Sequence, residues 1–231
     1  MARPASRPST IATWNRNPAD EEAMGAAHAP IWRRMADVSV PHDISTSTVL
    51  DYGCNQGGFL RLLYDNRPFK SAAGIDIARE SVGRAELLKG HRPIEYKVAD
   101  TAASLGRTFD YAFSHEVIYL LRDLPAHARD MRLAVRPGGS YVAAIGCHVD
   151  SAVWPRWRKL IAETSSIPIY DHSLEDVSKA FSEAGFTVSV RPLDLDAFMP
   201  VTVGSAYFPK VVDQLRYYSQ DKVLFRFVRT P

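Results

Sequence analysis

From Pro41 onward, short apolar runs alternate with segments of helical spacing. Residues 48–52, 71–77 and 94–98 read as buried strands, and so do Phe109 to Ser114 and Tyr141 to Cys147. Between them, 58–65 and 79–89 fit helices. Residues 122–135 place Leu124, Ala128, Met131 and Val135 on one helical face, and Arg136-Pro137-Gly138-Gly139 stops that helix and turns the chain. Ser173 with Asp176 three residues on is a capping-box start, and Gly185 closes the helix it opens. Phe186 to Val190 and residues 222–229 are two further strands. Strands and helices alternating in this way predict an α/β fold, with parallel strands covered by helices on both faces.

Outside this rhythm the pattern weakens. Residues 1–17 read as a disordered N-terminal arm, Pro-, Ser- and Arg-rich over Met1 to Thr10. Residues 18–43 form an N-terminal helical segment, acidic at its start (Asp20, Glu21, Glu22) and basic later (Arg33, Arg34), an order that complements a helix dipole. Pro30 is expected to break or kink it. With Trp14, His28 and Trp32, this region is a candidate lid. Residues 44–231 form the main domain, within which 149–172 and 193–219 are irregular and rich in aromatics. These are expected substrate-side insertions that present partly aromatic or apolar walls.

Composition changes this picture little. The 231 residues suffice for one large domain. A net charge of +2 without a basic stripe argues against a nucleic-acid partner, and no apolar run approaches the ~18 residues that span a bilayer. No signal-peptide pattern opens the chain, and Cys54 and Cys147 make neither a disulfide framework nor a metal site. The expectation is a cytoplasmic protein with no metal and no membrane partner. Oligomeric state is open.

The chemistry concentrates at strand ends. Asp51, Asp76, Asp100 and Ser114 each close a predicted strand, and in a parallel sheet those ends share the edge where ligands bind. After Val49-Leu50-Asp51 comes a glycine-containing turn and then a helix. A loop built for pyrophosphate wants little negative charge, so Asp51 points to an adenosine cofactor with cationic groups and no phosphate. Asp76, 25 residues on, is placed to accept from both ribose hydroxyls. Gly53 and Gly57 let the backbone approach a ligand, and Asn55, where a third glycine is expected, tolerates a left-handed conformation.

These segments, taken together and in order, resemble the class I S-adenosylmethionine-dependent methyltransferases. Asp51-Tyr52-Gly53-Cys54-Asn55-Gln56-Gly57 looks like their first motif and Gly74-Ile75-Asp76-Ile77 like their second. Val98-Ala99-Asp100-Thr101 is similar to the adenine-side segment, Phe109 to Val117 to the fourth strand, and Arg136-Pro137-Gly138-Gly139 to the turn before the fifth. The resemblance spans roughly residues 47–192 and implies a Rossmann-like three-layer sandwich, whose seven-stranded, mostly parallel sheet has an antiparallel last strand. It also implies S-adenosyl-L-methionine as cofactor and S-adenosyl-L-homocysteine as product. Gly53 and the neighbouring backbone of Cys54, Asn55 and Gly57 would meet the methionine part, with Asp51 near its amino group. Asp76 would hold the ribose, Asp100 and Thr101 would flank adenine with Ile77 on its face, and Ser114 would sit near the methionine moiety.

The implied activity is in-line methyl transfer to a small molecule, O or N. A hydroxyl or protonated amine would call for a general base, whereas an acceptor already nucleophilic needs only positioning. Candidate bases are His115, Tyr119 and His148, beyond the fourth and fifth strands. Glu116 is expected to cap the next segment or face solvent. Cys54 and Cys147 also read as small packing residues. Two alternatives remain: a nicotinamide-dependent oxidoreductase, for which Gly53-x-Asn55-x-x-Gly58 is a degenerate fingerprint, and a non-catalytic cofactor-binding protein on the same fold.

Overall fold

The computed structural model describes residues 10–195, 197–201 and 204–231. A long helix, α1 (Pro18–Ser39), precedes the sheet. There follow β1 (Ile44–Tyr52), α2 (Gly58–Asn66), β2 (Phe69–Asp76), α3 (Arg79–Leu88), β3 (Ile94–Val98), β4 (Phe109–His115), α4 (Leu124–Ala134) and β5 (Val135–Ile145). The chain closes with α5 (Trp154–Thr164), α6 (Leu174–Glu183), β6 (Phe186–Pro192), α7 (Val211–Arg216) and β7 (Val223–Arg229).

The strands form one sheet in the order β3-β2-β1-β4-β5-β7-β6. The β1–β2, β2–β3, β1–β4 and β4–β5 pairs are parallel, and β7 runs antiparallel to both its neighbours. Asp51 is in register with Gly74 on one side and Phe113 on the other, so the carboxyl ends of β1, β2 and β4 share one edge. Each face of the sheet buries an apolar layer. Ala128 and Met131 of α4 and Val177 and Phe181 of α6 cover one face. Ile31 and Met35 of α1, Phe59 and Leu63 of α2 and Val82 of α3 cover the other. The fold is the three-layer Rossmann-like sandwich expected, antiparallel last strand included.

Four local expectations are corrected. Helix α1 runs without interruption through Pro30. The proline lies on the exposed side, while Ile31, Met35 and Ala36 are buried against the domain, a gain that offsets the roughly 3 kcal/mol cost of an internal proline. Residues 10–17 are not a free arm, and residues 1–9 lie outside those described. Arg79 and Glu80 donate their N–H groups to the carbonyls of Ile11 and Ala12, Ser166 donates to Trp14, and Arg16 donates to Thr164. Arg136 to Gly139 loops out within the β4–β5 ladder instead of preceding it, since Phe109 pairs with Val135 and Tyr111 with Ser140. Finally, the irregular stretches contain helices: α5 buries Trp154 and Ile161 at helical spacing, and α7 runs into a single π-helical turn, Tyr217–Asp221.

Candidate active site

At the carboxyl end of β1 the chain turns sharply. The N–H groups of Gly53 and Cys54 both donate to the Ile75 carbonyl, at 2.8 and 2.9 Å, and Gly57 N–H donates to Cys54 at 2.7 Å. Gly53, Asn55 and Gly57 all adopt positive φ (77°, 46° and 71°). Asn55 manages this as a non-glycine residue because its side-chain oxygen accepts from Gln56 N–H at 2.6 Å. Gly57 has a second constraint: a Cβ there would collide with the Tyr96 ring, whose hydroxyl donates to the Gly57 carbonyl at 3.0 Å. The turn thus leads directly into α2, with its N–H groups from Gly53 to Gly57 engaged within the chain.

Asp76 fastens the turn from β2. Its two carboxylate oxygens accept from Asn55 N–H at 2.9 Å and Ala78 N–H at 2.8 Å. A carboxylate offers about four acceptor positions, so capacity remains for a ligand hydroxyl. Burial pushes the Asp76 carboxyl up, against the backbone N–H groups of Ala78, Asn55 and Ile77. Asp51 is only 4 % exposed, and burial first and the neighbouring Asp76 second push it up to about 8. Among the described residues no Lys, Arg or His forms an ion pair with Asp51.

These groups face a cavity of about 460 Å³, within the size range of small-ligand sites. Asp51, Gly53, Cys54, Asn55, Asp76 and Ile77 line it, as do His115 and Tyr119. Helix α1 supplies the opposite wall through Glu21, Met24, His28 and Trp32, and Trp14 joins it. Glu21 is buried and ties this wall down: it accepts from Asn15 N–H at 2.9 Å and from the Ser81 hydroxyl at 2.8 Å.

Beyond β4, His115 stands in a ring cluster. The Trp32 indole N–H donates to His115 Nδ1 at 3.1 Å, and the His28 ring lies edge-on to His115 with centroids 4.5 Å apart. His115 Nε2 is shut off from solvent and has no hydrogen-bond partner among the described residues. Burial first and Lys222 second depress both imidazoles, His28 to about 4 and His115 well below its ordinary value. Tyr119 is buried, which pushes its phenol well up, so it is a donor and not a phenolate.

Several expected positions fall elsewhere. Strand alternation turns Ser114 away from the cavity, and its hydroxyl bonds that of Tyr141 at 2.6 Å inside the α4–α6 layer. His148 also lies outside: its Nε2 meets the Asp221 carbonyl at 2.7 Å and its Nδ1 lies 3.7 Å from Asp150, so it is no base for this cavity. Asp100 and Thr101 do not line the cavity, although Ala99 does. Gly57 shapes the turn without lining it. Cys54 is a buried thiol on the wall, pushed well up by burial and therefore neutral.

Glu116 neither faces solvent nor caps a helix. In the left-handed region at φ 55°, it forms a buried ion pair with Lys222. It also accepts from the N–H groups of Gly146 and Cys147, at 3.2 and 3.3 Å, and from the Tyr217 hydroxyl at 3.3 Å. Burial raises its carboxyl, but Lys222 and these donors outweigh that and hold it below the ordinary value. No local signal announces the pair, because its members stand 106 residues apart.

Among the described residues no cluster is placed to hold a metal ion, and no helix is long and apolar enough to cross a membrane. The donor set fits S-adenosylmethionine. A buried carboxylate with no cation of its own suits the ammonium group of the cofactor's methionine part, and Asp76 retains acceptors for the ribose.

The carboxylate-bearing glycine turn lies at the switch point of the sheet, between β1 and β4, where doubly wound folds bind their ligands. The chain belongs to the family described as "Methyltransferase domain", whose model matches residues 20–189. It is an S-adenosylmethionine-dependent methyltransferase, and the nicotinamide alternative falls away. No curated protein matches it by sequence. Among solved structures it is similar to a putative methyltransferase of Haloferax volcanii in complex with the Trm112 activator. The TM-score is 0.76 at 20% identity, over 93% of this chain and 95% of that one. It is also similar to an S-adenosylmethionine-dependent methyltransferase from Mesorhizobium loti, with TM-score 0.63 at 19% identity over 89% and 99%. A third likeness is to the geranyl diphosphate C-methyltransferase of Streptomyces coelicolor, with TM-score 0.62 at 16% identity over 98% and 92%.

Proposed function

We propose that this chain methylates a small, partly aromatic or apolar molecule, at O or N, within the cavity between α1 and the carboxyl edge of the sheet. One observation carries the reading: a single cavity joins the cofactor-type carboxylates Asp51 and Asp76 to a wall of Trp32, Phe59, His28, His115 and Tyr119. Rings on several sides suit a flat molecule, and the net charge of +2 without a basic stripe favours a small molecule over nucleic acid.

When bound, the cofactor supplies a sulfonium methyl, a strong electrophile. The chain's own residues do the rest. Asp51 balances the ammonium group, Asp76 accepts from the ribose, and Gly53, Cys54 and Asn55 shape the wall beside the methionine part. Ile77 supports adenine, with Asp100 and Thr101 beside that wall. Helix α1 serves as the lid that excludes water, and the rings beyond β4 orient the acceptor.

The test is methyl transfer from labelled cofactor to a panel of phenols, carboxylates and amines. Turnover with at least one of them supports the reading. Transfer to RNA or protein alone rejects it. The likeness to the activator-bound Haloferax protein favours a second reading, in which an activator protein is needed for activity. Turnover by the chain alone would reject that.

A further inference from the structure

The geometry points to His115 as the group that binds the acceptor by donating a hydrogen bond from Nε2–H, with Trp32 as the positioning residue that fixes this tautomer. This rests on the reading that the acceptor enters the cavity between α1 and the sheet. It replaces the expectation that His115 is a general base.

The argument begins with an asymmetry of donors. An indole N–H can only donate, so the Trp32 Nε1 contact with His115 Nδ1 at 3.1 Å requires Nδ1 to be unprotonated. A neutral imidazole carries one proton, which must then sit on Nε2. His115 lines the cavity, and this nitrogen is buried without a partner among the described residues. A buried N–H left unpaired costs on the order of 1–3 kcal/mol, so the site is built to be completed by an acceptor atom of a ligand. His115 stays neutral because it is buried and because Lys222 and His28 lie near it.

Around His115, the neighbouring groups do not take over as a base. Tyr119 holds its proton, Glu116 is occupied by Lys222 and two backbone N–H groups, and His28 is held down to about 4. The wall beyond β4 therefore offers donors and rings. This defines the acceptor class: a flat molecule with a hydrogen-bond-accepting oxygen, such as a carbonyl, carboxylate or phenolate, beside an atom that already carries a usable lone pair. A protonated amine, which must first lose a proton, fits poorly.

Trp32 does this from a secure seat. It stands on α1, packs edge-on against Phe59 with centroids 6.4 Å apart, and covers Gly58, where a Cβ would meet its ring at 2.7 Å. A side chain at residue 58 would displace the indole, so the first residue of α2, the tryptophan of α1 and the histidine of β4 act as one assembly.

The test is nitrogen NMR of the full chain with labelled imidazoles, bound to S-adenosylhomocysteine near pH 7.5, with His115 assigned by its loss in His115→Gln. The expected pattern is an unprotonated Nδ1 and a protonated Nε2. In Trp32→Phe the two tautomers should mix. Wild-type protein with a protonated Nδ1, or a pattern unchanged in Trp32→Phe, overturns the inference whatever the enzyme methylates. Turnover gives a second arm. Gln still donates but is no base, so His115→Gln should retain activity within about tenfold, while His115→Phe should lose about 10²-fold or more. Equal losses of 10²–10⁴-fold in both would restore the general base.

Discussion

Asp51 is the residue proposed to meet the cofactor's ammonium group. A carboxyl pushed up to about 8 is largely protonated at neutral pH without ligand, and an adjacent ammonium lowers it again. Binding therefore releases a proton below about pH 8, and cofactor affinity should rise as pH climbs towards that value and level off above it. Stability of the ligand-free protein runs the other way. The folded pKa exceeds the ordinary aspartate value of 3.8, so this group's contribution is greatest at low pH and declines from about pH 4 to about pH 8. Calorimetry at pH 7 in buffers of different ionisation enthalpy should show proton release, which Asp51→Asn should abolish. No difference between buffers would remove Asp51 from the ammonium site. This residue was legible in the sequence, because an acid ending an apolar run before a glycine turn is a local pattern. Glu116 was not. Its left-handed backbone and its partner Lys222 are products of the fold, and nothing within a few residues of either announces them.

At the scale of elements, the sheet was readable almost strand by strand. Apolar runs bounded by turn residues mark β1 to β4, β6 and β7 to within a few residues, and the capping box at Ser173 marks α6. Helices rich in aromatics were harder. Trp154, Trp157 and Ile161 have helical spacing, yet bulky rings suggest a ligand wall as readily as a core-facing stripe, so α5 was hidden. Pro30 misled in the opposite sense, since propensity yields to burial when the proline faces water. The Glu116–Lys222 pair joins two such elements, linking the end of β4 to the start of β7 across β5. Lys222 is only 2 % exposed, so Lys222→Met should leave a buried carboxylate unpaired and cost about 3–5 kcal/mol, read as a lower denaturant midpoint. Adding Glu116→Gln should recover much of that loss. A single variant within about 0.5 kcal/mol of wild type would show the pair to be dispensable.

For the whole molecule, the division of labour follows the order of the strands. The β1, β2 and β4 edge supplies the carboxylates proposed to hold the cofactor, α1 walls the cavity opposite them, and the β5–β7 half carries the aromatic insertions. The cofactor half was legible because its chemistry recurs as short motifs at strand ends. The acceptor half was not, since its wall is assembled from α1, β4 and the segment after it, each without a motif of its own. The central claim, an S-adenosylmethionine site fastened by Asp76, has a direct measurement. Titration calorimetry of the full chain should show S-adenosylhomocysteine binding at a single site, no binding of NAD, and a loss of about 10²-fold in affinity for Asp76→Ala, the equivalent of two hydrogen bonds to a charged group. Binding of NAD, or undiminished S-adenosylhomocysteine affinity in Asp76→Ala, would contradict it.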